Sequence, residues 1–155
     1  MQHQNAALED LSHMFVSNPD NPTPGNDLIV ASRFDFTIDS LSVMDDHIDE
    51  MRNRDLSNDE WNSFILRAGA YVGEVIRRLS AQETEWVWLS HEQAADVSDF
   101  VASQEMSIGT AAVLWDGAEG IVFPLGKVAK FIANGREDSV HFYAQVIVAG
   151  PPNFG

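Results

Sequence analysis

The sequence has no cysteine among its 155 residues, which excludes disulfides, thiolate metal ligands and cysteine nucleophiles. Its five histidines are scattered and do not form the paired-histidine helix motif of a metalloprotease. It also lacks a phosphate-binding glycine loop and the Gly-x-Ser-x-Gly turn that presents a serine nucleophile. Because no set of nucleophile, base or metal ligands is recognisable, we predict a protein that is not an enzyme and that requires neither a metal nor a cofactor.

Long apolar runs are absent as well. No stretch approaches the roughly 20 apolar residues that a membrane-spanning helix needs, and no basic-then-apolar leader opens the sequence. We therefore expect a cytoplasmic protein that makes no membrane contact. The hydrophobic content of 45% is enough for a single domain over residues 1–155 with one substantial core.

Positive charge is scarce, since nine Lys and Arg residues face 24 Asp and Glu residues and the net charge is −15. No lysine occurs before Lys127, and the only basic run is formed by Lys127, Lys130 and Arg136. A chain this acidic repels the phosphates of nucleic acid, so we predict no nucleic-acid binding. The macromolecular partner that suits this charge is a basic protein surface. The alternative is that the acidity only keeps the protein soluble.

The longest helix signal runs from Ser57 to Leu79. Ser57 and Glu60 have the spacing of a capping box, in which each side chain accepts a hydrogen bond from the other residue's backbone N–H. The apolar residues recur every three or four positions and form one wide stripe: Trp61, Phe64, Ile65, Ala68, Val72, Val75, Ile76 and Leu79. Each glycine in a helix costs about 1 kcal/mol relative to alanine. We therefore expect Gly69 and Gly73 to lie where a neighbouring element approaches closely.

Polar side chains on the same helix suggest a second feature. Glu74 and Arg78 are four residues apart in the order that favours an ion pair, and Tyr71 is close to both on the helical wheel. The simplest interpretation is an exposed ion pair on a solvated face. The alternative is a small-molecule pocket that these three side chains line together with Trp86 and Trp88 from the segment that follows.

A second helix is predicted for residues 35–54, with an apolar stripe facing the core. Four carboxylates are predicted on its outer face, with no lysine among them: Asp45, Asp46, Asp49 and Glu50. We predict that this face binds the basic partner. His47 stands among these carboxylates, but no second histidine lies at ligand spacing, so we predict no metal site.

The sequence predicts that the N-terminal region is a separate arm. Residues 4–15 fit a short helix, and residues 17–27 contain three prolines and a glycine, which are typical of a loop. We therefore predict an N-terminal arm and proline-rich linker over residues 1–27, followed by a globular body over residues 28–150.

Alternating apolar residues predict strands at 85–89, 110–115 and 120–123, with an Asp-Gly turn between the last two. The first strand places its two tryptophans on one face and Val87 and Leu89 on the other. These features predict an α+β fold in which helices pack on a small antiparallel three-stranded sheet.

Helical signals complete the body of the protein. Ser90 has the position of a cap for a short helical insertion between the first two strands. Another helix begins at Pro124 and ends at Asn134 and Gly135. Residues 137–149 carry a helical stripe, which we favour, while their alternation leaves a final strand as the alternative.

Three stretches of the sequence resemble a group of small bacterial proteins of unknown function. They are GAYVGEVIRR (69–78), EWVWL (85–89) and FPLGKVAKFIANGREDSV (123–140). The shared features are a Gly-x-x-x-Gly-Glu helix, a Trp-bearing strand and a Pro-x-x-Lys-Val-x-Lys helix that ends in Asn-Gly. The resemblance covers residues 35–148 and implies a fold rather than an activity.

Some small acidic proteins of this general kind accompany toxins as immunity proteins. The resemblance and the acidic charge together lead us to expect a non-catalytic, immunity-type protein that neutralises a basic toxin or effector by binding it. The alternative function is a small-molecule-binding or regulatory domain with a pocket near Tyr71 and Glu74.

Overall fold

The computed structural model describes residues 3–150. Within this range the α-helices are α1 (Asn5–Val16), α2 (Ser40–Met51), α3 (Asn58–Ser80), α4 (His91–Val97), α5 (Asp99–Ala102), α6 (Pro124–Asn134) and α7 (Val140–Ala149). The strands are β1 (Val87–Ser90), β2 (Ala112–Trp115) and β3 (Ile121–Val122). They form an antiparallel sheet in the order β1-β2-β3. The predicted α+β fold, with helices packed on a small three-stranded sheet, is confirmed.

Helix α3 is the centre of the core and begins as the sequence predicts. Ser57 Oγ accepts a hydrogen bond from Glu60 N–H, and Glu60 Oε1 accepts one from Ser57 N–H, both at 3.1 Å. The two glycines lie at close approaches. A Cβ on Gly69 would lie 2.7 Å from the Cα of Leu125, and a Cβ on Gly73 would overlap the indole of Trp88. The close approach predicted for both glycines is confirmed, against α6 for the first and against β1 for the second.

The two faces of β1 serve two different cores. Trp86 and Trp88 belong to the main core around α3, and Trp88 is fully buried. Leu89 instead packs in a smaller cluster with Val113 and with Val101 of α5. The predicted division of this strand into a tryptophan face and an aliphatic face is therefore confirmed.

The N-terminal helix is part of the body rather than an arm. Leu8 and Phe15 of α1 are only 4% and 1% exposed and lie in the main core. The proline-containing loop after α1 is held in place because Arg67 Nη1 donates hydrogen bonds to Asn21 O at 2.7 Å and to Thr23 Oγ1 at 3.2 Å. The prediction of an arm and linker over residues 1–27 is wrong for the part of it that is described. The composition of residues 17–27 predicted a loop, but it did not indicate that Arg67 holds this loop against α3.

Most other element boundaries move by a few residues. Helix α2 begins at Ser40 rather than at residue 35, because Phe36 has a positive φ of 63° that no helix accommodates. All three strands are shorter than predicted. Residues from Val140 onward form α7, so the helix that we favoured is confirmed over the strand alternative. None of the helices within residues 3–150 has the length and apolar content needed to span a bilayer.

Candidate partner-binding surface

The four carboxylates predicted for one exposed face of α2 divide into two groups. Asp45 is only 7% exposed and points towards α7. Its Oδ1 accepts a hydrogen bond from Val140 N–H at 2.8 Å, and its Oδ2 accepts one from the Ser139 hydroxyl. Asp45 thus satisfies a backbone donor at the N-terminus of α7, where negative charge is favoured. Its assignment to the partner-binding face is wrong, because it connects two helices.

The outer carboxylates of α2 are exposed but partly neutralised by one arginine. Arg136 Nη2 lies 2.8 Å from Asp46 Oδ1, and Arg136 Nε lies 3.1 Å from Asp49 Oδ2. The hydrogen bond with Asp46 is the main cause that raises the pKa of Arg136 above its usual value. Asp49 also lies 3.6 Å from Arg52. The Glu50 carboxylate is exposed and makes no hydrogen bond or salt bridge with a described residue, although its charge acts on Arg54 and helps to raise the pKa of that guanidinium.

Apolar side chains lie beside these carboxylates. Leu28 and Val30 are 39% and 55% exposed. They border a shallow depression of about 90 Å³ whose other lining residues include Val43, Asp46, Glu50 and the exposed Arg33. We call Leu28, Val30, Val43, Asp46 and Glu50 the α2 surface. It combines apolar contact area with solvent-facing negative charge.

His47 lies on the inner side of the same helix and not among the outer carboxylates. It is 6% exposed and packs against the rings of Phe15, Phe34 and Phe64. Burial lowers the pKa of His47 to about 4, and its Nε2 atom has no hydrogen-bond partner. The imidazole is therefore neutral at physiological pH. Within residues 3–150, no group of three or more His, Asp or Glu side chains is arranged to hold a metal ion.

The predicted pocket around Tyr71 is closed. Tyr71 is fully buried, and its hydroxyl accepts a hydrogen bond from Phe36 N–H at 2.9 Å and lies 2.7 Å from Ser40 Oγ. Burial is the main cause that raises the pKa of this hydroxyl. Tyr71 therefore fastens the turn before α2 to α3, and it is not available to a ligand.

Glu74 is also internal, and its partner differs from the predicted one. It is 2% exposed, and its Oε2 accepts hydrogen bonds from Arg77 Nη1 at 2.8 Å and from Trp88 Nε1 at 3.0 Å. Arg78 instead places its guanidinium 3.8 Å from the centre of the Phe36 ring. The predicted pair of Glu74 with Arg78 is wrong, because the buried indole N–H orients the carboxylate towards β1.

Two shallow depressions lie near the predicted pocket residues. One, of about 280 Å³, is bordered by Glu74 and Arg78. Another, of about 290 Å³, is bordered by Trp86 and Arg77. Neither includes Tyr71 or Trp88, which are both fully buried. The five residues therefore do not form the common pocket that the alternative interpretation requires.

Sequence reasoning missed two features: the exposed apolar residues of the α2 surface and the arginine that pairs with its outer carboxylates. The exposure of Leu28 and Val30 has no local signal, because apolar residues after a loop also fit a short edge strand. The position of Arg136 depends on contacts across 87 and 90 residues of chain, which spacing does not reveal.

Comparison of the chain with protein-family models, with curated proteins and with solved structures finds no match.

Proposed function

We propose that the protein is a non-catalytic binding protein and that a partner with a basic surface docks on the α2 surface. The observation that carries this proposal is the exposed apolar group of Leu28 and Val30 beside the carboxylates of Asp46 and Glu50. Apolar side chains supply area that loses water on binding, while the carboxylates select for lysine or arginine on the partner. The net charge of −15 favours the same kind of partner.

Arg136 occupies the position that a cation of the partner would take. Its side chain is 58% exposed where it pairs with Asp46 and Asp49. Exposed ion pairs of this kind are weak because solvent screens both charges, so a partner's cation can replace Arg136 at small cost. The Glu50 carboxylate makes no salt bridge with a described residue, so a cation can approach it without displacing a bonded partner.

The most specific form of the proposal is an immunity-type protein that neutralises a basic toxin or effector by covering its functional surface. Neutralisation by occlusion needs only affinity and steric coverage, so it agrees with the absence of a recognisable catalytic motif. The support for this form is the acidic charge together with the apolar contact area. A toxin that binds nucleic acid would carry the complementary lysines and arginines, since phosphate binding requires them.

The test uses a partner recovered on immobilised protein from a native lysate at low salt. Association and dissociation rates are then measured for the wild type and for Glu50→Lys at increasing ionic strength. We expect the wild-type association rate to fall steeply with salt, because screening weakens the attraction between exposed charges. Glu50→Lys should mainly lower the association rate at low salt, and Val30→Ser should mainly raise the dissociation rate.

The matched control is Glu92→Lys, which makes the same charge change on the exposed face of α4. If the effect belongs to the α2 surface, this variant should associate close to the wild-type rate. If it slows association as much as Glu50→Lys does, only the net charge matters and the α2 surface is not the docking site. A wild-type rate that is independent of salt would also contradict the proposal.

A further inference from the structure

A cavity of about 500 Å³ lies on a part of the molecule that the α2 surface does not include. It is bounded by the segment after α5, the single-turn helix Ile108–Thr110, α6 and Tyr143 of α7. Its volume lies within the range of about 300–1,000 Å³ that is typical of small-molecule sites. One wall is backbone, because a Cβ on Gly109 would lie only 3.1 Å from the Cα of Gly126.

The other walls are largely apolar. Phe123 and Phe100 meet edge to face with their ring centres 6.0 Å apart, and both line the cavity. Phe100 is 61% exposed although the rest of its helix is anchored by the buried Val101. A large aromatic ring that stays in solvent beside an open cavity is a surface that a ligand can cover.

The positive charge at the cavity is exceptional for this chain. Lys127 and Lys130 are the only lysines in the sequence, and both line the cavity. Lys127 Nζ lies 2.8 Å from Asp138 Oδ1, so its charge is locally balanced. Lys130 is exposed and makes no salt bridge with a described residue, although its charge also helps to lower the pKa of Asp138. These three side chains together leave one net positive charge, which matches a monoanion.

Tyr143 adds a hydrogen-bond donor at the same place. Its hydroxyl oxygen accepts a hydrogen bond from Phe123 N–H at 2.8 Å, and no described residue accepts the hydroxyl proton. Burial raises the pKa of Tyr143 to about 12, so the hydroxyl keeps its proton at neutral pH. A phenol whose oxygen is held by this hydrogen bond still has its O–H to donate to an oxygen atom of a ligand.

We propose that this cavity binds a small apolar monocarboxylate. The hydrocarbon or aromatic body of the ligand lies against Phe100 and Phe123, and its carboxylate lies at Lys130 with Tyr143 as a second donor. The acidic remainder of the surface repels an anion, so the two lysines direct it to this cavity. The site is independent of the α2 surface, and its ligand is of the opposite charge to the proposed protein partner.

The first experiment compares three probes that share one alkyl chain: octanoate, octanol and octylammonium. Each is titrated into the full-length protein, and binding is followed by displacement of a fluorescent anionic naphthalene dye and by calorimetry. We expect octanoate to bind more tightly than octanol, and octylammonium to bind more weakly than both. Equal affinities for octanoate and octanol, or no binding of octanoate at millimolar concentration, would overturn the proposal.

Two variants locate the ligand in the cavity. Lys130→Gln should weaken octanoate binding by about two- to five-fold, the factor that corresponds to an exposed ion pair, and should leave octanol binding unchanged. Phe100→Ala should weaken both ligands, and because Phe100 is exposed the variant should remain folded, which its circular dichroism spectrum checks. The control Arg33→Gln removes one exposed positive charge elsewhere and should leave both affinities unchanged. An unchanged octanoate affinity in either cavity variant would place the ligand elsewhere and refute the assignment.

Discussion

Replacing Gly73 by alanine tests whether α3 and β1 are packed as closely as described. In most helices this change is favourable by about 1 kcal/mol, because alanine has the higher helix propensity. Here the added Cβ would lie inside 3.0 Å of the Trp88 indole, a distance that real Cβ atoms essentially never show. The ring is fully buried and cannot turn outward. We therefore expect the usual gain to be reversed.

Two contributions determine how much Gly73→Ala should lower the free energy of unfolding. Overpacking a tight core costs about 1–3 kcal/mol. Displacing the indole also breaks its hydrogen bond to Glu74 Oε2, and a buried donor left without a partner costs about 1–3 kcal/mol. After the gain in helix propensity is subtracted, Gly73→Ala should lower the free energy of unfolding by about 3 kcal/mol. Urea denaturation followed by far-ultraviolet circular dichroism measures this difference.

The control for this experiment is Asn62→Ala, an exposed position on the same helix where alanine should be neutral or slightly stabilising. Ala70 would not serve as a control, because it is fully buried. A double variant identifies the cause: with Trp88→Phe in place, the overlapping ring atoms are gone and Gly73→Ala should cost little. If Gly73→Ala stabilises the protein, or if its cost is the same in the Trp88→Phe background, the reasoning is refuted.

Three further predictions concern buried polar groups. His47 is neutral in the fold, so the free energy of unfolding should fall by up to about 3 kcal/mol as the pH drops from 6.5 towards 4, where the unfolded state binds the extra proton. Asp45→Ala removes the acceptor of Val140 N–H and should cost about 1–3 kcal/mol in urea denaturation. Tyr71→Phe leaves Phe36 N–H without its acceptor and should cost a similar amount by the same assay.

Each of these predictions has an outcome that would contradict it. His47→Leu should remove most of the loss between pH 6.5 and 4, and a variant that loses stability as the wild type does would assign the effect to other groups. Asp46→Ala is the control for Asp45→Ala, because Asp46 is exposed on the same helix. Equal costs for these two would mean that the link between α2 and α7 is not energetically important. An unchanged urea midpoint for Tyr71→Phe would show that water replaces the lost acceptor.

The features that the sequence predicted well are those with local causes. The capping boxes at Ser57 and at Ser90 each depend on residues three positions apart. The start of α6 at Pro124 and its end at Gly135, which has a φ of 96°, depend on the conformations those two residues favour. Such signals need no knowledge of the tertiary structure. The order and type of the elements after residue 35 could therefore be predicted, except that the single helical insertion expected after Ser90 is two helices, α4 and α5.

The candidate site was predicted less well, because its geometry depends on distant contacts. Asp45 meets its partner across 95 residues of chain, and Arg136 meets Asp46 across 90. A helical wheel nevertheless shows one difference among the four carboxylates that the prediction of a single exposed face did not use. Asp45 is four residues from Leu41 and three from Ile48, so it lies beside the apolar stripe, whereas Asp46 and Glu50 lie opposite it.

The pocket prediction failed for a related reason. Tyr71 and Glu74 lie within the stretch of α3 that is buried on every side, and an amphipathic pattern indicates only one buried face. Tyr71 is bonded by Phe36 N–H and Glu74 by the Trp88 indole, and these partners lie in a turn and a strand that the helix pattern does not include. Polar residues on a core helix are therefore better interpreted as satisfied internal groups until an open cavity is found beside them.

The most direct test of the proposed function is the association rate of the Arg136→Gln variant with the recovered basic partner. Removing this arginine leaves Asp46 unpaired, and Asp49 keeps only its contact with Arg52. If the partner's cations take the place of Arg136, association at low salt should become about three-fold faster. The increase should disappear at high salt, because the interaction is electrostatic and screened. An association rate equal to or below that of the wild type at low salt would contradict docking on the α2 surface.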